Sequence, residues 1–223
     1  MSANGKIDLV CFDIGGVLVR ILTAWPDLCR AMRIDVRGES AGELAENARR
    51  ELAEAYQRGD LSTEAWMAAV ENALSGLYTA DELATLHDAV LIEEYPGVAI
   101  LIDELHRAGI ATACLSNTNE LHWPKLVHHD GARVMPGEPR YPGVHKLGSH
   151  HASHLMKFIK PAPDIYRAFE KATGRSGSQI LFFDDLAENV AAAKSLGWHA
   201  ERIDPTAPTD EQLRRHLAAH GVL

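Results

Sequence analysis

The run Leu9 to Val19, LVCFDIGGVLV, constrains this chain more than any other stretch. Apolar residues lead to a single carboxylate, Asp13, and the chain then turns through Gly15 and Gly16. A short apolar run before a Gly-rich turn reads as a strand buried in a parallel sheet, and open α/β sheets place ligands beyond the carboxyl ends of such strands. Asp13 is therefore a candidate site residue; the alternative is a carboxylate that merely caps the turn. The glycines favour the first reading, because backbone without a Cβ turns sharply and comes close to a ligand.

Three later segments answer this one. The strand IATACLSN ends in Ser116 and Asn117, the run KPAPDIY begins with Lys160, and ILFFDD ends in Asp184 and Asp185. Residues Asn117 to Glu120 read as a helix start, whose free amides and positive dipole end receive a phosphate oxygen. Ser116 as a plain helix cap is the competing reading. Two adjacent acids at a strand end are costly unless something positive neutralises them. Mg²⁺ is the natural answer, a hard cation that takes carboxylate, water and phosphate oxygens. Neighbouring strand residues point opposite ways, so one acid of the pair is the direct ligand.

A carboxylate, a hydroxyl, a cation and an acidic pair, in that order, resemble the motifs of the haloacid dehalogenase superfamily across nearly the whole chain. The segments FDIGGV, LSNT, KP and FFDD are similar to the branch that includes bacterial α-glucose-1-phosphate phosphatase. The resemblance implies an α/β fold, a Rossmann-like parallel sheet core (residues 1–20 and 94–223) with an inserted helical cap domain (residues 21–93). It implies an Mg²⁺-dependent phosphatase working through an aspartyl-phosphate, with Asp13 as nucleophile and Ser116, Asn117 and Lys160 on the phosphate. The metal ligands it implies are Asp13, the Gly15 carbonyl and Asp185, with Asp184 and Asn189 in support. Lys157 stands where the branch usually has Gly, and Lys160 takes the lysine position. One departure matters: the superfamily's phosphatases carry a second Asp two residues after the nucleophile as general acid and base, and here Gly15 stands there. A missing acid costs about 10²- to 10⁴-fold, so the leaving group has a low pKa or another side chain, such as His122, supplies the proton.

The chain between these motifs fits the same plan. With 223 residues it is long enough for a full α/β domain and a smaller helical one. Residues 24–93 read as helix, with Ala-, Leu- and Glu-rich stretches and capping-box spacing at Ser40/Glu43 and Thr79/Glu82. Trp66, Val70 and Leu74 recur at helical spacing and read as core, not as a substrate-facing stripe. Pro96 opens a helix that Gly109 closes, DIYRAFEKAT is a helix ended by Gly174, and ENVAAAKSLG follows the acidic pair. From His128 to His154 the Pro- and Gly-rich sequence reads as a long loop. It carries His128, His129, His145, His150, His151 and His154, which read as solvated; a zinc or nickel site would need His150 and His154 on one helix face.

A net charge of −9 argues against nucleic acid as a partner, since binding phosphate backbones relies on basic patches. A small phosphorylated substrate remains the expected partner, because one lysine and one metal ion hold it. No segment reaches the roughly 20 apolar residues of a membrane span, and no leader pattern opens the sequence, so the expected location is cytoplasmic. Cys11, Cys29 and Cys114 read as small core residues; no pattern addresses the oligomeric state. Two rival readings remain. A hydrolytic dehalogenase would use Asp13 on carbon and has no need of the acidic pair, while a non-catalytic phospholigand-binding or protein-interaction scaffold would explain Gly15.

Overall fold

The computed structural model describes residues 6–127 and 139–223. In chain order, β1 (Leu9–Phe12) and β2 (Val19–Ile21) precede four helices: α1 (Trp25–Met32), α2 (Glu43–Arg58), α3 (Thr63–Ala73) and α4 (Ala80–Asp88). There follow β3 (Leu91–Glu94), α5 (Val98–Arg107), β4 (Ala111–Ser116) and the short α6 (Trp123–Leu126) and α7 (Pro142–Lys146). The chain then forms β5 (Ser149–Ala152), α8 (Ser153–Met156), α9 (Pro163–Thr173), β6 (Ile180–Asp184), α10 (Ala187–Ser195), β7 (His199–Arg202) and α11 (Thr209–Ala219).

Five strands make one parallel sheet in the order β5-β4-β1-β6-β7. The central strands are apolar on both faces because helices cover both. Val10 and Phe12 face one layer with Leu101 and Leu105 of α5 and Leu213 and Leu217 of α11. Leu9 and Cys11 face the other, with Ile165, Tyr166 and Phe169 of α9 and Val190 and Ala193 of α10. Burying each such side chain fully is worth roughly 1.5–3 kcal/mol, so the sheet is held from both sides at its middle strand. Cys11, Cys29 and Cys114 are buried and free, in keeping with small core residues.

The four helices after β2 have their own apolar core, which includes Trp25, Trp66, Val70, Leu74, Tyr78 and Leu83. An antiparallel ribbon of β2 with β3 closes this insert at its base. Thr79 and Glu82 form the capping box expected of them at the start of α4. Ser40 does not cap α2: Gly42 holds that position, and the Ser40 hydroxyl is buried against Tyr78 Oη at 2.8 Å. A buried hydroxyl partner outweighed a cap that solvent can replace.

Three further expectations change. Pro96 precedes α5 by two positions, and Gly97, at φ +85°, is its N-cap. Asn117 to Glu120 are not a helix start, since α6 begins only at Trp123 and is four residues long. The His-rich stretch is not one loop. His145 lies on α7, His150 and His151 lie on the edge strand β5, and His154 lies on α8, while His128 and His129 fall outside the described residues. His150 Nε2 lies 2.7 Å from the Val144 carbonyl and His151 packs edge-on against Phe169, both half-buried, and His154 is buried, so these three are not free solvated loop side chains. With His150 on a strand and His154 on the next helix, no shared helix face exists for a zinc or nickel ion.

Candidate active site

Strand order brings the motifs together. β1 is flanked by β4 and β6, with Phe12 level with Cys114 on one side and Phe183 on the other. One residue further, Asp13 therefore stands level with Asp184, and the Asp13 amide donates to the Phe183 carbonyl at 2.8 Å. Ser116 is the last residue of β4 and is buried at the same rim. Carboxylate oxygens of Asp13, Asp184 and Asp185 lie within 4.8 Å of one another.

Lys160 reaches this rim from the loop before α9. Its Nζ lies 3.0 Å from Asp13 Oδ1 and 2.7 Å from Asp184 Oδ2, and its side chain is fully buried. Burial works against the charged lysine, but Asp13 and Asp184 outweigh it and hold its pKa above the ordinary value. The lysine's backbone is pinned: Asn117 Oδ1 accepts from the Lys160 amide at 2.9 Å, and Asn117 Nδ2 donates to its carbonyl at 3.0 Å. Asn117 thus orients Lys160 with both polar atoms of its side chain. Lys157 is exposed and donates instead to the Gly59 carbonyl at the end of α2.

Asp184 is fully buried and accepts from Asn189 Nδ2, the Leu186 amide and Lys160 Nζ. Burial pushes the Asp13 carboxyl up to about 7, with Lys160 pulling down and Asp184 and Asp185 pushing further up. Burial also raises Asp185, to about 6, helped by Asp184. Gly16 is in contact with this second acid. At φ +72° it occupies the left-handed region, and a Cβ there would lie 2.6 Å from Asp185 Oδ2. Only glycine lets the turn approach so closely.

These residues suit a hard divalent cation. The donors are all oxygen, three carboxylates meet beside one buried lysine that pairs with two of them, and the Asn189 Oδ1 beside them is buried without a partner among the described residues. Unpaired negative charge in a buried cluster is what Mg²⁺ neutralises.

A model of haloacid dehalogenase-like hydrolases matches residues 7–197, a span that holds every motif residue above. The chain belongs to that family. Among curated relatives it is 26% identical over 153 residues to a phosphatase of Mycobacterium tuberculosis, covering 66% of this chain and 64% of that one. A mouse protein, acyl-CoA dehydrogenase family member 10, is 22% identical over 217 residues, 91% of this chain but 18% of its own length. The chain thus spans less than two thirds of either relative. Of solved structures, a HAD-like hydrolase from Porphyromonas gingivalis aligns with a TM-score of 0.74 at 23% identity, covering 96% and 98% of the two chains. A HAD enzyme from Bacteroides thetaiotaomicron, solved with magnesium and inorganic phosphate, aligns at 0.72 and 18% identity, covering 93% and 100%. L-2-haloacid dehalogenase from Xanthobacter autotrophicus aligns at 0.62 and 21%, covering 97% and 84%. At these identities the structural likeness speaks for the family's fold.

Ser153 and His87, beside the site, carry no sequence signal of their own. The Ser153 hydroxyl, at the start of α8, bonds Thr118 N and O in the loop after Ser116 and also the Gln57 carbonyl of the insert. His122 is buried and stacks on His87 of α4, with ring centroids 3.9 Å apart and planes 5° apart. Its Nε2 lies 2.9 Å from the His87 carbonyl and donates to it, while Nδ1 faces the Asn119 Nδ2 donor at 3.4 Å and accepts, the pattern of a neutral ring. Burial lowers the pKa of both rings, that of His87 to about 3. The proton that would qualify His122 as a general acid is already given to a backbone carbonyl. Among the described residues no helix is long and apolar enough to cross a membrane.

Proposed function

We propose that this chain is an Mg²⁺-dependent phosphatase that hydrolyses a small phosphorylated metabolite through an aspartyl-phosphate on Asp13. The observation that carries the reading is the grouping of Asp13, Asp184 and Asp185 around the buried Lys160. The phosphatase name of the mycobacterial relative and the magnesium and phosphate in the Bacteroides enzyme support it. Asp13, the Gly15 carbonyl and Asp185 would hold the ion, which supplies charge neutralisation at the phosphoryl oxygens when bound.

The residues then divide the work. Asp13 Oδ attacks phosphorus in line, the bond to the leaving oxygen breaks, and its electron pair departs with that oxygen. Lys160 and the Ser116 hydroxyl stabilise the charge on the transferring group. Asp184, Asn189 and Asn117 hold Lys160 in place. Water then attacks the phosphorus of the aspartyl-phosphate, releasing inorganic phosphate and restoring the carboxylate. We assign the insert, residues 21–93, the part of a cap that keeps water from the phosphoryl group during the first step.

Nothing at position 15 protonates the leaving oxygen. A Cβ there would meet Ile21 Cδ1 at 3.0 Å, so an apolar side chain borders that place. The substrate accordingly has a leaving group of low pKa, as sugar 1-phosphates, acyl phosphates and aryl phosphates do. Phosphate release from aryl phosphates of graded leaving-group pKa, with Mg²⁺ and after chelation, tests the reading. Release should require Mg²⁺ and rise steeply as the leaving-group pKa falls; release that ignores chelation removes the proposal. Halide release from 2-haloacids in its place would make the chain a dehalogenase.

Mg²⁺ binding should also depend on pH. The ion competes with protons on Asp13 and Asp185, which burial raises to about 7 and about 6. Affinity measured by calorimetry should fall about 10²-fold or more from pH 7.5 to pH 5, with proton release on binding near pH 6. Gly16→Ala should weaken Mg²⁺ binding about 10- to 100-fold, because the new methyl displaces Asp185. Unchanged affinity in that variant would take Asp185 out of the metal site.

A further inference from the structure

The cavity above the acidic rim encloses about 910 Å³, at the upper end of the roughly 300–1,000 Å³ of small-molecule sites. That is far more than a phosphate needs. Its wall in the insert is largely apolar and aromatic, with Trp25, Leu28, Tyr56 and Trp66 among its residues. Tyr56 and Trp66 stack with ring centroids 4.9 Å apart, and the buried Trp66 indole N–H has no partner among the described residues.

Helix α2 adds Glu46, Arg49, Ala53 and Gln57 to the same wall, at steps of three and four that share a helix face. Arg49 differs from the other arginines of the insert: Arg33 and Arg50 are also without a carboxylate among the described residues but are exposed, Arg50 bonding Asn47 Oδ1, while Arg49 is half-buried. Arg30, Arg37 and Arg58 each pair with a carboxylate, whereas Arg49 lies over the Trp25 ring at 4.4 Å and donates only to the Ser40 carbonyl. Burial holds its pKa below the ordinary arginine value, with the field of Glu46 offsetting this in part. A half-buried cation loses hydration that a contacting anion ordinarily offsets, and no described residue supplies one.

The two ends of the cavity are separated along α2. The Gln57 carbonyl accepts from Ser153, which also bonds Thr118, so this end of the helix sits against the loop after Ser116. Arg49 lies eight residues earlier, about 12 Å along the axis at 1.5 Å per residue. The stacked Tyr56 and Trp66 belong to the same wall, Tyr56 next to Gln57 at that end of the helix.

We propose that the substrate is a phosphate monoester whose leaving group is an aromatic or apolar chain ending in a second anion, received by Arg49. The proposal rests on the phosphatase reading and narrows it. A hexose phosphate is short and dense in hydroxyls, and it would leave an aromatic wall and a remote guanidinium unused. The shared chemistry at the far end is a carboxylate or a phosphate.

The test compares three esters with Mg²⁺ present: 4-hexylphenyl phosphate, 6-(4-phosphooxyphenyl)hexanoic acid, and the bisphosphate of 6-(4-hydroxyphenyl)hexanol. We expect kcat/KM for at least one anion-ended chain to exceed the neutral chain about 10- to 100-fold, the worth of a charged hydrogen bond. Which of the two gains identifies the terminal group. The advantage should vanish for (4-phosphooxyphenyl)acetic acid against 4-methylphenyl phosphate, whose carboxylate cannot reach. In Arg49→Met the long-chain ratio should fall to near one, and Arg49→Lys should restore part of it. A ratio near one in the wild type, or one that survives in Arg49→Met, overturns the proposal. The wild-type comparison decides even where the variant does not fold. Failure to hydrolyse any of these esters would overturn the phosphatase reading itself; hydrolysis without preference overturns only the second-anion site.

Discussion

Asp13→Asn should abolish phosphate release, lowering kcat about 10⁴-fold or more, the scale of removing a nucleophile. The fold should survive. The asparagine oxygen can still accept from the Ile14 amide, which lies 2.7 Å from Asp13 Oδ1, and Lys160 keeps its partner Asp184. Stability gives an independent sign. Burial raises the Asp13 pKa to about 7 in the folded chain, above the roughly 3.9 of an unfolded Asp. A group shifted upward lends stability that is fully present below its unfolded pKa and is lost as pH rises through the folded one. Above pH 7 the metal-free wild type has therefore lost that contribution, while the neutral Asn variant has no such loss. At pH 8 and without metal, Asp13→Asn should melt no lower than the wild type. With Mg²⁺ the order should reverse, because the wild type keeps the Asp13 carboxylate and gains more from binding. Phosphate release near the wild-type rate from a verified Asp13→Asn preparation would remove the nucleophile from the mechanism.

Lys160→Met should be the most destabilising single change at the site. It leaves two buried carboxylates, Asp13 and Asp184, without their shared cation. Breaking a buried pair by removing one partner costs about 3–5 kcal/mol, a large share of the roughly 5–15 kcal/mol of a typical domain. Urea denaturation at pH 7.5 without metal should show this loss, and the deficit should shrink toward pH 5, where the raised Asp13 carboxyl takes a proton. Activity should be lost as well, since no second cation touches Asp13 among the described residues. A loss under about 1 kcal/mol would mean that the ion pair is open to solvent and that the rim is wetter than its burial indicates.

Much of the site is legible in the chain because central parallel strands are short, apolar and end abruptly. LVCF before Asp13 and ILFF before Asp184 mark both the strands and their carboxyl ends, and a ligand site at such ends follows from how α/β sheets are built. Helix α9 and its Gly174 cap are legible for the same local reason. Edge strand β5 is not. Its sequence SHHA has no apolar alternation, because an edge strand takes its register from one neighbour and leaves polar side chains room. The helix expected at Asn117 fails because Asn117 spends its side chain on Lys160, a contact between residues 43 apart in sequence.

Local pattern alone settles that the chain forms a parallel sheet and that Asp13, Ser116 and Asp184 end its strands, since burial on both faces demands continuous apolar runs and permits charge only where they stop. Tertiary packing decides which groups those charges meet. It places Lys160 between two acids, ties up the His122 proton on the His87 carbonyl, and puts Arg49 in the cavity wall without a carboxylate. Each depends on side chains brought together from distant positions, and hydrogen bonds and ion pairs act only over a few ångströms, so no local pattern encodes them.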